Sequence, residues 1–195
     1  PGMTKAVFVE PDWNAPLNLE TYLAGIPATA TIKGVFPAAV AAAAARRGVK
    51  LTNVRPRYHA FVEVPLREYV PMLVQASAGL YPSLPPRQAL RKLGRASYDA
   101  FATSMFGRVL LTGIVDMKSG LQMVSKGVSI VTPAAQSKIL EITDNRALVE
   151  MSTTYTFLDS HHVGVFEKVA STVKSRVLVR LALRTPYDGQ VEITW

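Results

Sequence analysis

Cysteine is absent from the 195 residues, which excludes a disulfide framework, a thiolate metal site and a cysteine nucleophile. Nothing then marks an oxidising compartment, and a cytoplasmic location is the simplest expectation. Charge is scarce as well, 18% of residues against 49% hydrophobic. Apolar surface is therefore ample to offset chain entropy, and the body of the chain is expected to fold. No Gly/Ser tract, charge block or composition break divides it, so one core is expected. Long apolar runs are missing too. A membrane span needs about 18 or more consecutive apolar residues, and the best candidates are interrupted by Arg108 and Asp116 or by Arg46 and Arg47. No transmembrane segment is expected. The start, with Glu10 and Asp12 among Pro1 to Pro16, lacks the basic and then apolar pattern of a secretory signal. Pro1 and Gly2 before Met3 are read as an expression remnant.

The motifs of common catalysis are also lacking. There is no Gly-x-Ser-x-Gly elbow, no phosphate loop ending in Lys-Ser/Thr and no Gly-x-Gly-x-x-Gly, so a serine hydrolase, nucleotide hydrolysis and dinucleotide chemistry have no support. Ser160 and His161 are only sequence neighbours, which makes no triad. His161 and His162, side by side on a helix, point about 100° apart and could not readily share a metal. With His59 the only other imidazole, and Asp159 and Glu167 nearby, no metal site is expected, and no cofactor either.

What is present reads as helices followed by hairpins. Residues 1–30 form an irregular arm, and 31–195 a single domain. Ala30 to Phe36 is a short strand or turn. Pro37 opens a helix to about 47, with alanines at 38–39 and 41–45, Arg46 and Arg47 at its end and Gly48 as a left-handed stop. Leu66 to Leu80 repeats apolar positions at helical spacing around Pro71. A third helix starts at Ser83 or at Pro85-Pro86 and carries Leu90, Leu93, Tyr98, Phe101 and Met105. Residues 107–126 are apolar nearly all round and predict a central helix buried on several sides. Beyond Pro133 the period becomes that of strands: 138–143 and 146–157 about an Asp144-Asn145 turn, with Val149, Met151, Thr153, Tyr155 and Phe157 on one face. A helix capped by Ser160 follows over 161–174, with Val165, Phe166, Val169 and Val173 on its stripe. Then come a strand over 176–184 and a last strand bearing Val191, Ile193 and Trp195. For this hairpin the facing pattern predicts a three-residue Tyr187-Asp188-Gly189 turn with Gly189 left-handed, pairing Arg184 with Glu192 and Leu183 with Ile193. The expected fold is α+β: a helical layer from the N-terminal two thirds, packed on a mainly antiparallel sheet of about four strands, made of two C-terminal hairpins and an intervening helix.

The run from Tyr81 to Arg108, with its Leu93-Gly94-Arg95 and Phe106-Gly107-Arg108 triplets, resembles the centre of a myxobacterial paralogous family of uncharacterised proteins of about 180 to 200 residues. Ile32-Lys33-Gly34-Val35-Phe36 and Asp188 to Trp195 resemble that family's ends. The element order is also similar to that of the haem nitric-oxide-binding and 4-vinyl-reductase-like group, which includes a palmitoyl-binding subunit of a vesicle-tethering complex. This second resemblance implies an apolar pocket between helical layer and sheet. The Tyr-x-Ser-x-Arg signature of the haem-binding members is absent, so no haem ligand is carried over.

Two constellations remain. Met105, Phe106, Leu110, Met117, Leu121 and Met123 interleave with Gly107, Gly113 and Gly120, adaptable side chains beside space. With Tyr98 and Phe101, the residues Met105, Leu110, Met117 and Leu121 are the candidate lining of a ligand pocket. A filled core is the plain alternative. Arg87, Arg91 and Arg95 recur every four residues with Lys92 alongside, a basic surface for an acidic protein partner, or simply a solvated face. No aromatics interleave with it, and nucleic acid is disfavoured. The leading expectation is a non-enzymatic module that binds or senses a small apolar or acyl ligand. A protein-interaction or scaffolding module on the basic surface comes second, and a homodimer stays open. An enzyme would need a buried carboxylate or histidine in a cleft.

Overall fold

The computed structural model describes residues 6–173 and 176–195, without the side chains of Phe106 and Leu110. Pro1, Gly2 and the helix end expected at residue 174 lie outside the described residues. In chain order the elements are α1 (Leu19–Ala24), β1 (Thr31–Lys33), α2 (Val35–Arg46), β2 (Glu63–Pro65), α3 (Leu66–Leu80), α4 (Pro86–Thr103), α5 (Met105–Leu110), α6 (Met117–Val131), β3 (Gln136–Ile142), β4 (Arg146–Ser152), α7 (His161–Thr172), β5 (Leu178–Thr185) and β6 (Asp188–Thr194). The sheet is antiparallel in the order β3-β4-β6-β5. Two hairpins with a helix between them give the α+β layout expected. The β1-β2 ribbon, with Ile32 opposite Val64, is an addition.

The helices form where punctuation and period agree. Gly48 takes φ +69 just past α2. In α3 Pro71 has no N–H to offer the Arg67 carbonyl, yet Leu66, Tyr69, Val70, Leu73 and Ala76 bury one face firmly enough to hold the helix through it. Pro86 opens α4, where its missing N–H costs nothing. The inner face of the sheet presents Ala147, Val149, Met151, Val179, Leu181, Val191 and Ile193 to Met117, Leu121, Val163 and Phe166 of α6 and α7.

Several expectations are corrected. The arm contains α1, capped by Asn18 onto the Thr21 N–H (2.9 Å), and it buries Tyr22 and Ile26. Val9 adds a bridge to Leu181 on the outer edge of β5. The buried helix over 107–126 is two helices. Asp116 and Ser119 form a reciprocal capping box that starts α6 afresh, and Val109 and Val115 are 73% and 81% exposed. Strand β4 stops at Ser152, because Thr153 and Phe157 take φ +51 and +59 and turn the chain away. The Asp144-Asn145 turn does close β3 onto β4, through Thr143 N–H to the Arg146 carbonyl (2.7 Å), but without positive φ at either residue. Ser160 precedes α7, yet its hydroxyl bonds Asp159 rather than capping the helix.

In the last hairpin the turn is Pro186-Tyr187. Thr185 faces Asp188, a bulge separates that pair from Leu183 opposite Gly189, and Arg180 faces Glu192. Proline suits the first corner of a two-residue turn, and the Asp188 carboxylate accepts from the Thr185 hydroxyl (2.6 Å) and the Thr153 N–H (2.8 Å). Gly189 is an ordinary strand residue. Because the register moves by four, an even number, the apolar faces stay matched. Glu192 lies between Arg180 (2.5 Å) and Arg146 (2.8 Å), whereas Arg184 pairs with Glu150.

The apolar interior divides into two clusters rather than one core. The first joins α1, α3 and α4 through Tyr22, Leu66, Leu73, Leu90 and Leu93, and the second lies on the sheet. Between them α4 crosses α7 with backbones nearly touching. A Cβ at Gly94 would overlap the His161 carbonyl, and one at Gly164 would overlap the Arg91 carbonyl. No side chain fits at that crossing to fuse the clusters. Gly164→Ala is therefore expected to force the helices apart and cost about 3 kcal/mol. Urea unfolding checks this, and an unchanged midpoint would refute it.

Candidate functional site

Beside this crossing lies an apolar cavity of about 100 Å³. Helix α3 contributes Tyr69, α4 contributes Ser97, Tyr98 and Phe101, α6 contributes Met123, Val124, Gly127 and Val128, and α7 contributes His161, His162 and Val165. Ile32 and Phe36 close one end, where Phe36 stacks on Phe101 with centroids 5.3 Å apart. The turn after β4 supplies Tyr155 and Thr156. That turn carries backbone strain of roughly 1–3 kcal/mol for each left-handed non-glycine residue. It is held by Thr154 N–H to the Tyr187 carbonyl (2.9 Å) and Phe157 N–H to the Tyr22 hydroxyl (3.0 Å).

Among the described residues no strand of the four-stranded sheet lines the cavity. This corrects the expected position between helices and sheet: α6 and α7 already cover the sheet, so the space lies between them and the N-terminal helices. Of the expected lining, Tyr98 and Phe101 are there. Met105 is 75% exposed on α5, and Met117 and Leu121 are buried in the sheet-side cluster. The Leu110 side chain lies outside the described residues. Tyr69, Ser97 and Thr156 went unseen in the sequence, and His161 and His162 were weighed there only as a metal site or triad, because no pattern marks polar residues brought together from four separate segments.

The histidines set the chemistry. His161 is 6% exposed, with Nε2 3.3 Å from the Ser97 hydroxyl and Nδ1 without a partner among the described residues. His162 Nε2 lies 2.7 Å from the Thr156 hydroxyl. Burial, helped by the neighbouring His162, pushes the His161 pKa down to about 3, and burial pushes that of His162 down to about 4. Both rings are neutral at pH 7. Desolvation likewise holds Tyr69 protonated, well above the usual tyrosine range. Ser97 and His161 resemble two members of a triad, but no carboxylate among the described residues orients the imidazole, and a base of such low pKa is poorly matched to neutral pH. Among the described residues no group of three or more His, Asp or Glu could hold a metal ion.

The arginines pair with carboxylates around α7. Arg87 pairs with Asp159 and donates to the carbonyls of Ala15 (3.1 Å) and Pro16 (3.2 Å). Arg91 makes a forked pair with Glu167, with both carboxylate oxygens 2.9 Å from Nε, and lies 4.5 Å over the Trp13 ring. Arg95 reaches the same carboxylate at 3.2 Å, and Lys92 sits over Tyr81. The groove they border also holds Asp99, Glu167 and Lys168, so its charge is mixed. These residues tie α4 to α7 and to the arm.

The model of a family described as a protein of unknown function (DUF2378) matches residues 27–195. The chain belongs to this family. The comparison with curated proteins matches none of them. Among solved structures, the Fe(II) unliganded H-NOX protein from K. algicida is similar, with 13% identity, a TM-score of 0.62, and coverage of 84% of this chain and 96% of that one. A mutant of the T. tengcongensis H-NOX protein is also similar, with 13% identity, a TM-score of 0.54, and coverage of 80% and 86%. The H-NOX fold is thus shared by this DUF2378 chain.

Haem, the group named for the H-NOX family, does not fit these residues. Among the described residues no Arg or Lys lines the cavity to receive propionates, and the apolar walls leave only about 100 Å³ between them. Among the described residues no helix is long and apolar enough to cross a membrane.

Neutral burial of the histidines makes stability pH-dependent. Their folded pKa values lie below the unfolded value near 6.5, so the unfolded state binds protons first as pH falls. Stability is complete above about pH 6.5 and declines toward about pH 4, by about 1.4 kcal/mol per pH unit for each histidine. Urea unfolding at pH 7 and pH 5 should differ by about 2 kcal/mol or more. Equal stabilities would show that the folded rings take up protons as readily as the unfolded ones.

Proposed function

We propose that this protein is a non-enzymatic binding or sensing module for a small molecule with an apolar body, held in the cavity at the α4–α7 crossing. One observation carries the reading: a partly open apolar cavity whose walls come from both halves of the fold. A ligand there touches α3 and α4 on one side and α6 and α7 on the other. Its binding energy can therefore bias how the halves sit, which is what a sensor needs. The volume favours a compact ligand over a long acyl chain. Apolar cavities of comparable size accept apolar guests; one of about 150 Å³ takes benzene.

Likeness to H-NOX proteins supports the reading at the level of architecture, a helical part on an antiparallel sheet enclosing a ligand. The side chains point to a different guest. Catalysis is disfavoured by the low histidine pKa values and the missing carboxylate.

Gly127 supplies the test. It lines the cavity, and an added Cβ there meets nothing within 4 Å. Gly127→Leu is expected to fill the space while raising helix propensity by about 0.5–1 kcal/mol. Small hydrocarbons such as methylcyclopentane should raise the melting temperature of the natural chain and leave that of the variant unchanged. Absence of any shift in the natural chain would count decisively against a binding cavity.

A further inference from the structure

Among the described residues three buried side-chain atoms have no hydrogen-bond partner: Tyr69 Oη, His161 Nδ1 and Glu192 Oε1. Glu192 is accounted for on the sheet, where Oε1 lies 2.5 Å from Arg180. The other two belong to residues that line one cavity. Buried polar atoms are almost always paired, with protein, water or ligand, and two orphans on residues around one apolar space give a polar guest two groups to bond.

We infer that the cavity recognises a small uncharged molecule through one hydroxyl or carbonyl group, which hydrogen-bonds to the Tyr69 hydroxyl and His161 Nδ1 while its apolar body packs on Phe36, Phe101 and Val128. This rests on the reading of the cavity as a binding site and adds the chemical class of the ligand. Charge is excluded by the walls: among the described residues no Asp, Glu, Lys or Arg lines the cavity, so a carboxylate, phosphate or ammonium would be stripped of water with no counter-ion. The polar groups define the rest. Tyr69 is a protonated phenol that donates, and a neutral imidazole either accepts or donates at Nδ1 according to its tautomer. An alcohol satisfies both by accepting from Tyr69 and donating to His161. A ketone or aldehyde satisfies both by accepting twice. The volume of about 100 Å³ suits a compact body rather than a long chain.

The test uses a matched series on the whole chain: cyclopentanol, cyclopentanone, methylcyclopentane and cyclopentylamine, the last cationic at pH 7. Affinities come from titration, and the imidazole 15N resonances of His161 are followed alongside. Cyclopentanol and cyclopentanone should bind roughly tenfold more tightly than methylcyclopentane, and the amine should not bind. Tyr69→Phe should erase that advantage without altering methylcyclopentane binding, and the His161 Nδ1 resonance should move with the alcohol but not with the hydrocarbon. Equal affinities across the neutral probes, with a silent His161 resonance, would overturn the inference and leave a purely apolar cavity. If no probe bound, the cavity reading itself would fall and the inference with it. Should Tyr69→Phe fail to fold, the probe series and the 15N shifts on the natural chain decide alone.

Discussion

The close passage of α4 over α7 is the constraint on which the rest depends. Gly94 and Gly164 remove the only atoms that would hold the helices apart, and each faces the carbonyl of a residue on the other helix. The contact is then locked electrostatically: Glu167, 12% exposed at its side chain, receives Arg91 and Arg95 together, and Asp159 just before α7 receives Arg87. A carboxylate that far from water is favourable only with such forked, charge-assisted bonds. The same arginines hold the arm through Ala15, Pro16 and Trp13. The basic stripe therefore also serves as a seam of the fold, while Arg91 and Arg95 keep 37% and 43% of their side chains exposed along the groove.

The crossing also explains why there is a cavity and why it is polar at one end. Where two backbones meet, side chains are displaced to either side, and the space beside the contact must be filled by residues arriving from elsewhere. His161 starts α7 opposite Gly94, so its ring lies at the edge of the contact, where Ser97, one turn along α4, meets it. Close packing thus imposes burial on an imidazole, and burial keeps it neutral. The strained turn from Thr153 to Phe157 brings Thr156 to His162 in the same way.

Legibility in the sequence followed the range of the interactions. Helices α2, α3 and α4 are written locally, in proline starts, a glycine stop and a 3.6-residue period, and their positions match closely. The order of hairpin, helix and hairpin is local too, and with it the α+β class. The failures lie where a distant partner decides. Residues 107–126 look uniformly apolar, yet the Asp116 and Ser119 capping box breaks them, and that pair was the available signal. In the last turn Asp188-Gly189 has the local chemistry of a corner, but Asp188 is drawn into the strand to anchor Thr153 beyond β4. The cavity was least legible, since Tyr69, Ser97, Thr156 and His161 meet only in three dimensions.

Likeness to H-NOX structures at 13% identity shows how far architecture and site chemistry can separate. A helical part laid on a two-hairpin sheet leaves a gap between its layers whatever side chains are present, because α6 and α7 must cover the sheet and the N-terminal helices must pack on them in turn. What enters the gap is decided by a few residues. Cations would invite propionates or phosphates, and a wide mouth would admit a macrocycle. Here the walls are aromatic and aliphatic, their phenols and imidazoles are held neutral, and the two polar atoms without partners among the described residues are a phenol and an imidazole. Such a site gains little from electrostatic steering. On the proposed reading its selectivity comes from shape and from the cost of leaving those two atoms unpaired, which assigns discrimination among neutral guests to Tyr69 and His161 rather than to any charged residue.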